Sequence, residues 1–204
     1  MDGALPSSML DVAFDVQGEA PARDYRRNLA SALEAALPWL AAEPGAGVHR
    51  LNLAVGGQAV LMSRRTRLTL RVPRARAAEV EALAGRVLVL DPGQLRLGRP
   101  HRRELLPHGT LYAHLVATES DADEGGFLEA AESELAALGV RCRAICGRRA
   151  TLESGTVHGY SLMLDRLSEA DSTRVLEAGL GPHRRLGCGL FVPHKSAAAV
   201  GAPA

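Results

Sequence analysis

The sequence of 204 residues predicts an α+β protein built from two tandem ferredoxin-like (βαββαβ, RRM-like) domains. Three observations carry this. Several segments alternate apolar and polar residues with a period of two, the mark of half-buried strands. Between them lie alanine- and leucine-rich segments with helical spacing. The order strand, helix, strand, strand, helix, strand then occurs twice, in topology and not in residues. Two lobes of roughly 100 residues each fit the length.

In the first half, MLDVAFDVQ (9–17) places Leu10, Val12, Phe14 and Val16 on one face and Asp11, Ala13 and Asp15 on the other. Residues 24–41 read as an amphipathic helix, with Leu29, Leu33, Ala36 and Leu37 in register, ended by Glu43-Pro-Gly-Ala-Gly. VHRLNLAV (48–55) reads as a strand, Gly56-Gly57 as a turn and QAVLM as a short return strand. TRLTLRVP (66–73) is the clearest strand: Leu68, Leu70 and Val72 oppose Arg67, Thr69 and Arg71, and Pro73 ends it. Residues 74–86 read as a helix. Two short strands then flank Asp91-Pro-Gly.

In the second half, 109–119 is a strand and 121–138 an acidic helix. Residues 140–152 and 156–167 are strands with a long connection. A helix follows from Ser168 as N-cap to Gly179, and 186–195 holds a last strand. The expected domains are 1–98, a linker at 99–108, 109–197, and a tail at 198–204. Each half would put two helices on one sheet face and leave the other face open.

Hydrophobic residues make up 47% and charged residues 23%, ordinary for a globular protein. No apolar run reaches the roughly 18 residues of a membrane helix. The N-terminus lacks the basic and apolar regions of a secretory signal. Cys142, Cys146 and Cys188 are odd in number and read as reduced thiols, so a cytoplasmic location is expected. Collagen, coiled coil, disulfide scaffold and membrane protein are excluded.

The net charge of +1 hides a bias and a segregation. Of 24 basic residues only Lys195 is lysine. A GC-rich genome and a phosphate-binding role both produce such a bias; arginine adds a planar fork for phosphate. Arg64, Arg65, Arg67, Arg71, Arg74 and Arg76 cluster with no acid among them. Arg67 and Arg71 on a strand face suit either RNA contact or plain solvation. Thr110, Tyr112 and His114 share a polar strand face, suited to base stacking or to packing against the first domain.

The most specific local signal is Gly179-Leu-Gly181-Pro-His183-Arg184-Arg185-Leu-Gly187-Cys-Gly189. It links a helix to a strand, the reverse of nucleotide-binding glycine loops. Its glycines permit close approach of backbone to backbone or to phosphate, and its tip is basic. No metal-ligand spacing and no nucleophile elbow occurs, so no metal and no cofactor is expected. Catalysis would then be acid–base work by histidine, tyrosine or lysine.

At this loop the sequence resembles the RAMP superfamily of CRISPR proteins, and within it the Cas6 family. LPWL, SRRTRLTLRVP, LLPHGTLYAHLV, ICGRR and GYSLML resemble one compact type I branch, over roughly 9–197. The resemblance implies a metal-independent endoribonuclease that cuts precursor CRISPR RNA within its repeats. In that chemistry the 2′-hydroxyl attacks the adjacent phosphate and leaves a 2′,3′-cyclic phosphate. It implies a histidine in the first lobe as general acid or base, which matches His49, and Tyr25 as a second group that orients or protonates. The lysine that assists in several relatives has no counterpart in the first lobe, so Arg50 or Arg64 would stabilise the phosphorane. Arg184, Arg185, His183, Arg148, Arg149, Arg26, Arg27, Arg64 and Lys195 are the expected RNA-binding residues. The implied partners are CRISPR repeat RNA and other effector subunits, with no membrane, as a monomer or homodimer. The rival within the family is a noncatalytic guide-RNA-binding subunit; outside it, a metabolite-binding regulatory domain.

Overall fold

The computed structural model describes residues 6–19, 21, 22, 24–56, 59–91, 93–119 and 121–195. The chain divides into two units. The first is Met1–Glu104 with Arg185–Gly187, the second Leu105–Arg184 with Cys188–Ala204.

The first unit runs β1 (Met9–Gly18), α1 (Arg26–Ala36), β2 (Gly47–Val48), β3 (Ala54–Gly56), β4 (Ala59–Leu61), β5 (Arg67–Pro73), α2 (Ala77–Glu81), β6 (Val87–Val89) and β7 (Gln94–Glu104). Its main sheet has the order β2-β5-β1-β7-β6, all antiparallel, while β3 and β4 form a separate hairpin. Removing the added edge strand β6 leaves the ferredoxin-like order. Period-two alternation places Leu10, Val12 and Phe14 of β1 beside Leu68, Leu70 and Val72 of β5 in one core. Leu29 and Leu33 of α1 and Ala77 and Val80 of α2 pack into it.

The second unit runs β8 (Thr110–Thr118), α3 (Glu124–Ala137), β9 (Arg143–Leu152), β10 (Val157–Asp165), α4 (Glu169–Ala178) and β11 (Phe191–Pro193). Its sheet order is β11-β8-β10-β9, the same pattern. Asp123 caps α3 by accepting from Gly126 N at 2.8 Å, and Ser168 caps α4 by accepting from Asp171 N at 3.1 Å.

Several boundaries differ from the sequence reading. The helix expected over 24–41 ends at Ala36 and resumes as a 3-10 turn, Pro38–Ala41. Pro38 cannot donate to the helix, and it pushes Leu37 out of helical geometry to φ −135°, ψ 81°. The strand expected over 48–55 pairs with β5 only at Gly47 and Val48, so His49 stands just past a strand end. The helix over 74–86 is a 3-10 turn, Arg74–Arg76, followed by the short α2. β7 continues to Glu104, through residues read as part of the linker, because Leu10–Phe14 pair with Pro100–Glu104. The connection from β9 to β10 is short, a 3-10 turn at Glu153–Gly155.

The sheet face away from the core of the first unit is not solvated at its centre: Ala13 and Arg71 are buried there. Among the described residues no helix is long and apolar enough to cross a membrane. Residues 196–204, Gly57 and Pro92 lie outside the described residues.

Candidate active site

His49 follows β2, and its amide donates to Thr69 O on β5 at 2.9 Å. This backbone bond fixes the root of the side chain. The imidazole is 15% exposed, and its Nε2 stands 3.4 Å from Asp11 Oδ1 on β1. That is ion-pair distance, off hydrogen-bond geometry.

Asp11 is tied more firmly on its other side. Arg71 donates from Nε to Oδ1 at 2.9 Å and from Nη2 to Oδ2 at 3.1 Å, a bidentate fork. The two residues face each other in the β1–β5 register. Burial by itself would push the Asp11 carboxyl up. The close approach of the His49 imidazole, then the hydrogen bonds and charge of Arg71, outweigh it and hold the carboxyl well below the usual carboxylate range.

Tyr25, just before α1, is buried, and its hydroxyl accepts the Leu51 N–H at 2.7 Å. It therefore holds the chain two residues beyond His49. Arg26 Cζ lies 6.0 Å from the Tyr25 ring centroid.

The tip of the glycine-rich loop, Arg185–Gly187, belongs to the first unit. Arg26 Nη1 donates to Leu186 O at 2.7 Å, and Arg185 pairs with Glu34 on α1. Gly187 has φ +82°, where other residues are strained. A Cβ there would lie 2.8 Å from Arg26 Nη1, 3.1 Å from Val48 O and 3.3 Å from Arg50 N. The loop backbone thus rests on the residues either side of His49.

The rest of the loop is bound within the second unit. Gly189 N donates to Leu115 O at 2.7 Å, and a Cβ at Gly189 would fall 1.8 Å from Leu180 O. Gly181 N donates to Glu134 Oε2 at 2.8 Å, so that amide is already taken by a carboxylate. Gly179 has φ +60° and ends α4. The close approach that the glycines permit is therefore largely of backbone to backbone.

A family model described as "Cas6 Crispr" matches residues 10–196. The chain belongs to the Cas6 family. The CRISPR-associated endonuclease Cas6 of Myxococcus xanthus (strain DK1622) is 36% identical over 193 residues, covering 94% of this chain and 84% of that protein. Among solved structures, a CRISPR associated protein Cas6 matches with TM-score 0.64 and 9% identity over 92% of this chain and 100% of that one. A RAMP protein described as binding different RNA substrates matches with TM-score 0.63 and 10% identity, over 89% and 98%. A protein of a Cas6-related gene from Pyrococcus furiosus matches with TM-score 0.59 and 11% identity, over 90% and 98%. At such identities these structures share the fold, the tandem ferredoxin-like arrangement of Cas6 and RAMP proteins.

The other expected site residues of this Cas6-family chain fall in three places. Arg26, Arg27, Arg50, Arg64 and Arg185 lie in the first unit; Arg27, Arg50, Arg64 and Arg185 are exposed. His183 (φ +64°), Arg184 and Lys195 lie near the C-terminal loop in the second unit. Arg148 and Arg149 are exposed on β9, with Arg149 Cζ 5.9 Å from the Tyr160 ring centroid. Among the described residues no group of three or more His, Cys, Asp or Glu could hold a metal ion.

The arginine cluster of 64–76 is not a bare cationic patch. Arg71 pairs with Asp11, Arg67 with Asp15, Arg74 with Glu104 and Arg76 with Glu79. Arg71 is buried and is not an RNA-facing residue, a correction to the open-face reading. On β8, His114 is exposed, while Tyr112 is half-buried with its ring 5.5 Å from that of His194. Asp11 and Glu34 were not singled out from the sequence, since their partners lie about 60 and 150 positions away.

Proposed function

We propose that this protein is an endoribonuclease that cuts precursor CRISPR RNA within its repeats to give guide RNA. The observation that carries the reading is the packing of loop residues Arg185–Gly187 onto the chain that flanks His49. A histidine beside a basic loop tip is suited to proton transfer at a phosphodiester. The 36% identical relative, named as an endonuclease, supports the same reading.

The step needs no metal in its balance. His49 takes the proton of the ribose 2′-hydroxyl as O2′ attacks phosphorus. The P–O5′ bond breaks, O5′ takes that proton from the His49 imidazolium, and the products are a 2′,3′-cyclic phosphate and a 5′-hydroxyl. Arg50, next to His49 in the sequence, or Arg64 offsets charge on the phosphorane. Tyr25 orients the site by holding Leu51. Arg184, Arg185, His183, Arg148, Arg149, Arg26, Arg27 and Lys195 hold the RNA.

Incubating the protein with its cognate repeat RNA in EDTA tests this. One discrete cut ending in a cyclic phosphate is expected; binding without a cut contradicts it. A second reading, a noncatalytic subunit that holds guide RNA, is favoured by the low exposure of the His49 ring and its engagement with Asp11. Binding without cleavage is the outcome that this second reading predicts.

A further inference from the structure

Asp11 has a side chain only 14% exposed and plays no part in the proton transfers above. Such a buried carboxylate needs partners to stay charged. The charged and titratable groups facing it are Arg71 from β5, His49 after β2, and Arg103, its register partner on β7. α2 packs on the opposite face of β1, with Ala77 and Val80 turned to the core.

Arg71 fixes the plane of the carboxylate through two bonds, so Asp11 cannot swing to suit the imidazole. The ring must accommodate Asp11, and its own root is pinned by Thr69. An ionised carboxylate accepts hydrogen bonds and donates none. The nitrogen that faces it therefore carries hydrogen, and in the neutral ring the lone pair sits on the other nitrogen.

We infer that Asp11, held by Arg71, is a positioning residue that keeps His49 in the Nε2–H tautomer and makes Nδ1 the atom that exchanges a proton with RNA. This rests on the cleavage reading for its catalytic meaning, although the tautomer itself does not. Asp11 and Arg71 then act through His49 and touch no substrate.

The test is a long-range proton–nitrogen NMR spectrum of the full chain with 15N-labelled histidine, at a pH where the rings are neutral. The His49 signals are assigned by their loss in His49→Ala. Wild-type His49 is expected to show a protonated Nε2 and an unprotonated Nδ1. In Asp11→Asn the remaining carbonyl oxygen stays on Arg71, and the Nε2–H population should fall. Single-turnover cleavage should then drop by about 10²-fold or more, as for a catalytic histidine left in the wrong tautomer. Binding of a repeat RNA with a 2′-deoxy group at the cut site should stay within about twofold, since Asp11 contacts no RNA. A wild-type ring protonated at Nδ1 would overturn the inference, and so would a folded Asp11→Asn protein with an unchanged tautomer ratio. If Asp11→Asn does not fold, the wild-type spectrum decides alone. His49→Ala retaining full activity would remove His49 from the chemistry and leave the tautomer result standing, whereas a wild-type protein that binds repeat RNA without cutting it would sink the cleavage reading.

Discussion

Arg26, the first residue of α1, donates from Nη1 to the carbonyl of Leu186 at 2.7 Å, across 160 positions of sequence. The bond ties the start of the first helix to the tip of the C-terminal loop. Because Gly187 rests its backbone against Val48 and Arg50, Arg26 also helps set the spacing around His49. Arg26→Ala should therefore reduce cleavage more than it reduces thermal stability. A part-buried hydrogen bond from a charged donor contributes about 1.5–3 kcal/mol. A fall in cleavage rate of about tenfold, with a melting temperature lowered by only a few degrees, is the expected pattern. Unchanged cleavage would separate the loop tip from the chemistry.

Gly189 and Gly139 both have positive φ, +65° and +67°, but their surroundings differ. A Cβ at Gly189 would lie 1.8 Å from Leu180 O, whereas nothing lies within 4 Å at Gly139. Gly139→Ala should cost only the backbone strain, about 1 kcal/mol. Gly189→Ala must also push the loop backbone apart and should cost at least about 3 kcal/mol. Denaturant melts of the two variants check the ranking; equal losses would contradict it.

Asp11 also sets an acid limit. Its carboxyl is held below its ordinary value, so the native state favours the ionised form. That stabilisation is fully present above the unfolded value of about 3.9 and is lost as pH falls through the native one. The stability gap between wild type and Asp11→Asn should thus shrink as pH falls below about 4, where the unfolded carboxyl takes up its proton. Urea melts across this range measure it. A gap that grows below about pH 4 would contradict the assignment.

Cys142 and Cys146 carry thiols pushed up to about 11. Burial is the main cause for both, with Asp171 and Glu132 adding to it at Cys142 and Glu124 at Cys146. Cys188 is buried outright. The thiolate is the reactive form, so all three should react slowly with a disulfide reagent at neutral pH and fast in guanidinium. Rapid labelling of the native protein would contradict this.

RNA held by the basic loop tip should show its charge in salt dependence. Changing Arg184 and Arg185 together should weaken binding and flatten the log–log salt slope by about 0.7 per lost phosphate contact on single strands. An unchanged slope would remove these residues from the RNA footprint.

The architecture was legible in the sequence where local physics governs it. Alternation in 9–17 and 66–73 fixed two neighbouring strands, and Ser168 and Gly179 bounded α4. Pro38 is visible too, yet leucine and alanine continue the helical spacing on both sides of it and mask the break. The pairing partners were not legible. Arg67 and Arg71 stand unopposed in any short stretch of sequence, because their acids, Asp15 and Asp11, lie more than fifty positions away and meet them only through the β1–β5 register. For the same reason Asp11 looked like an ordinary polar strand residue. Its pairing with His49 depends on two facts no short window holds: that β2 stops at Val48, and that β5 lies between β2 and β1.

In the proposed cleavage, His49 carries the proton transfer at a phosphodiester held beside the loop tip. The most direct measurement is single-turnover cleavage of cognate repeat RNA by His49→Ala, alongside binding of the 2′-deoxy RNA. A rate lowered by on the order of 10²–10⁴, with affinity changed by no more than about twofold, is expected. Full activity in His49→Ala, with the same cyclic phosphate end, would contradict it and move the role to His108, His114 or His183.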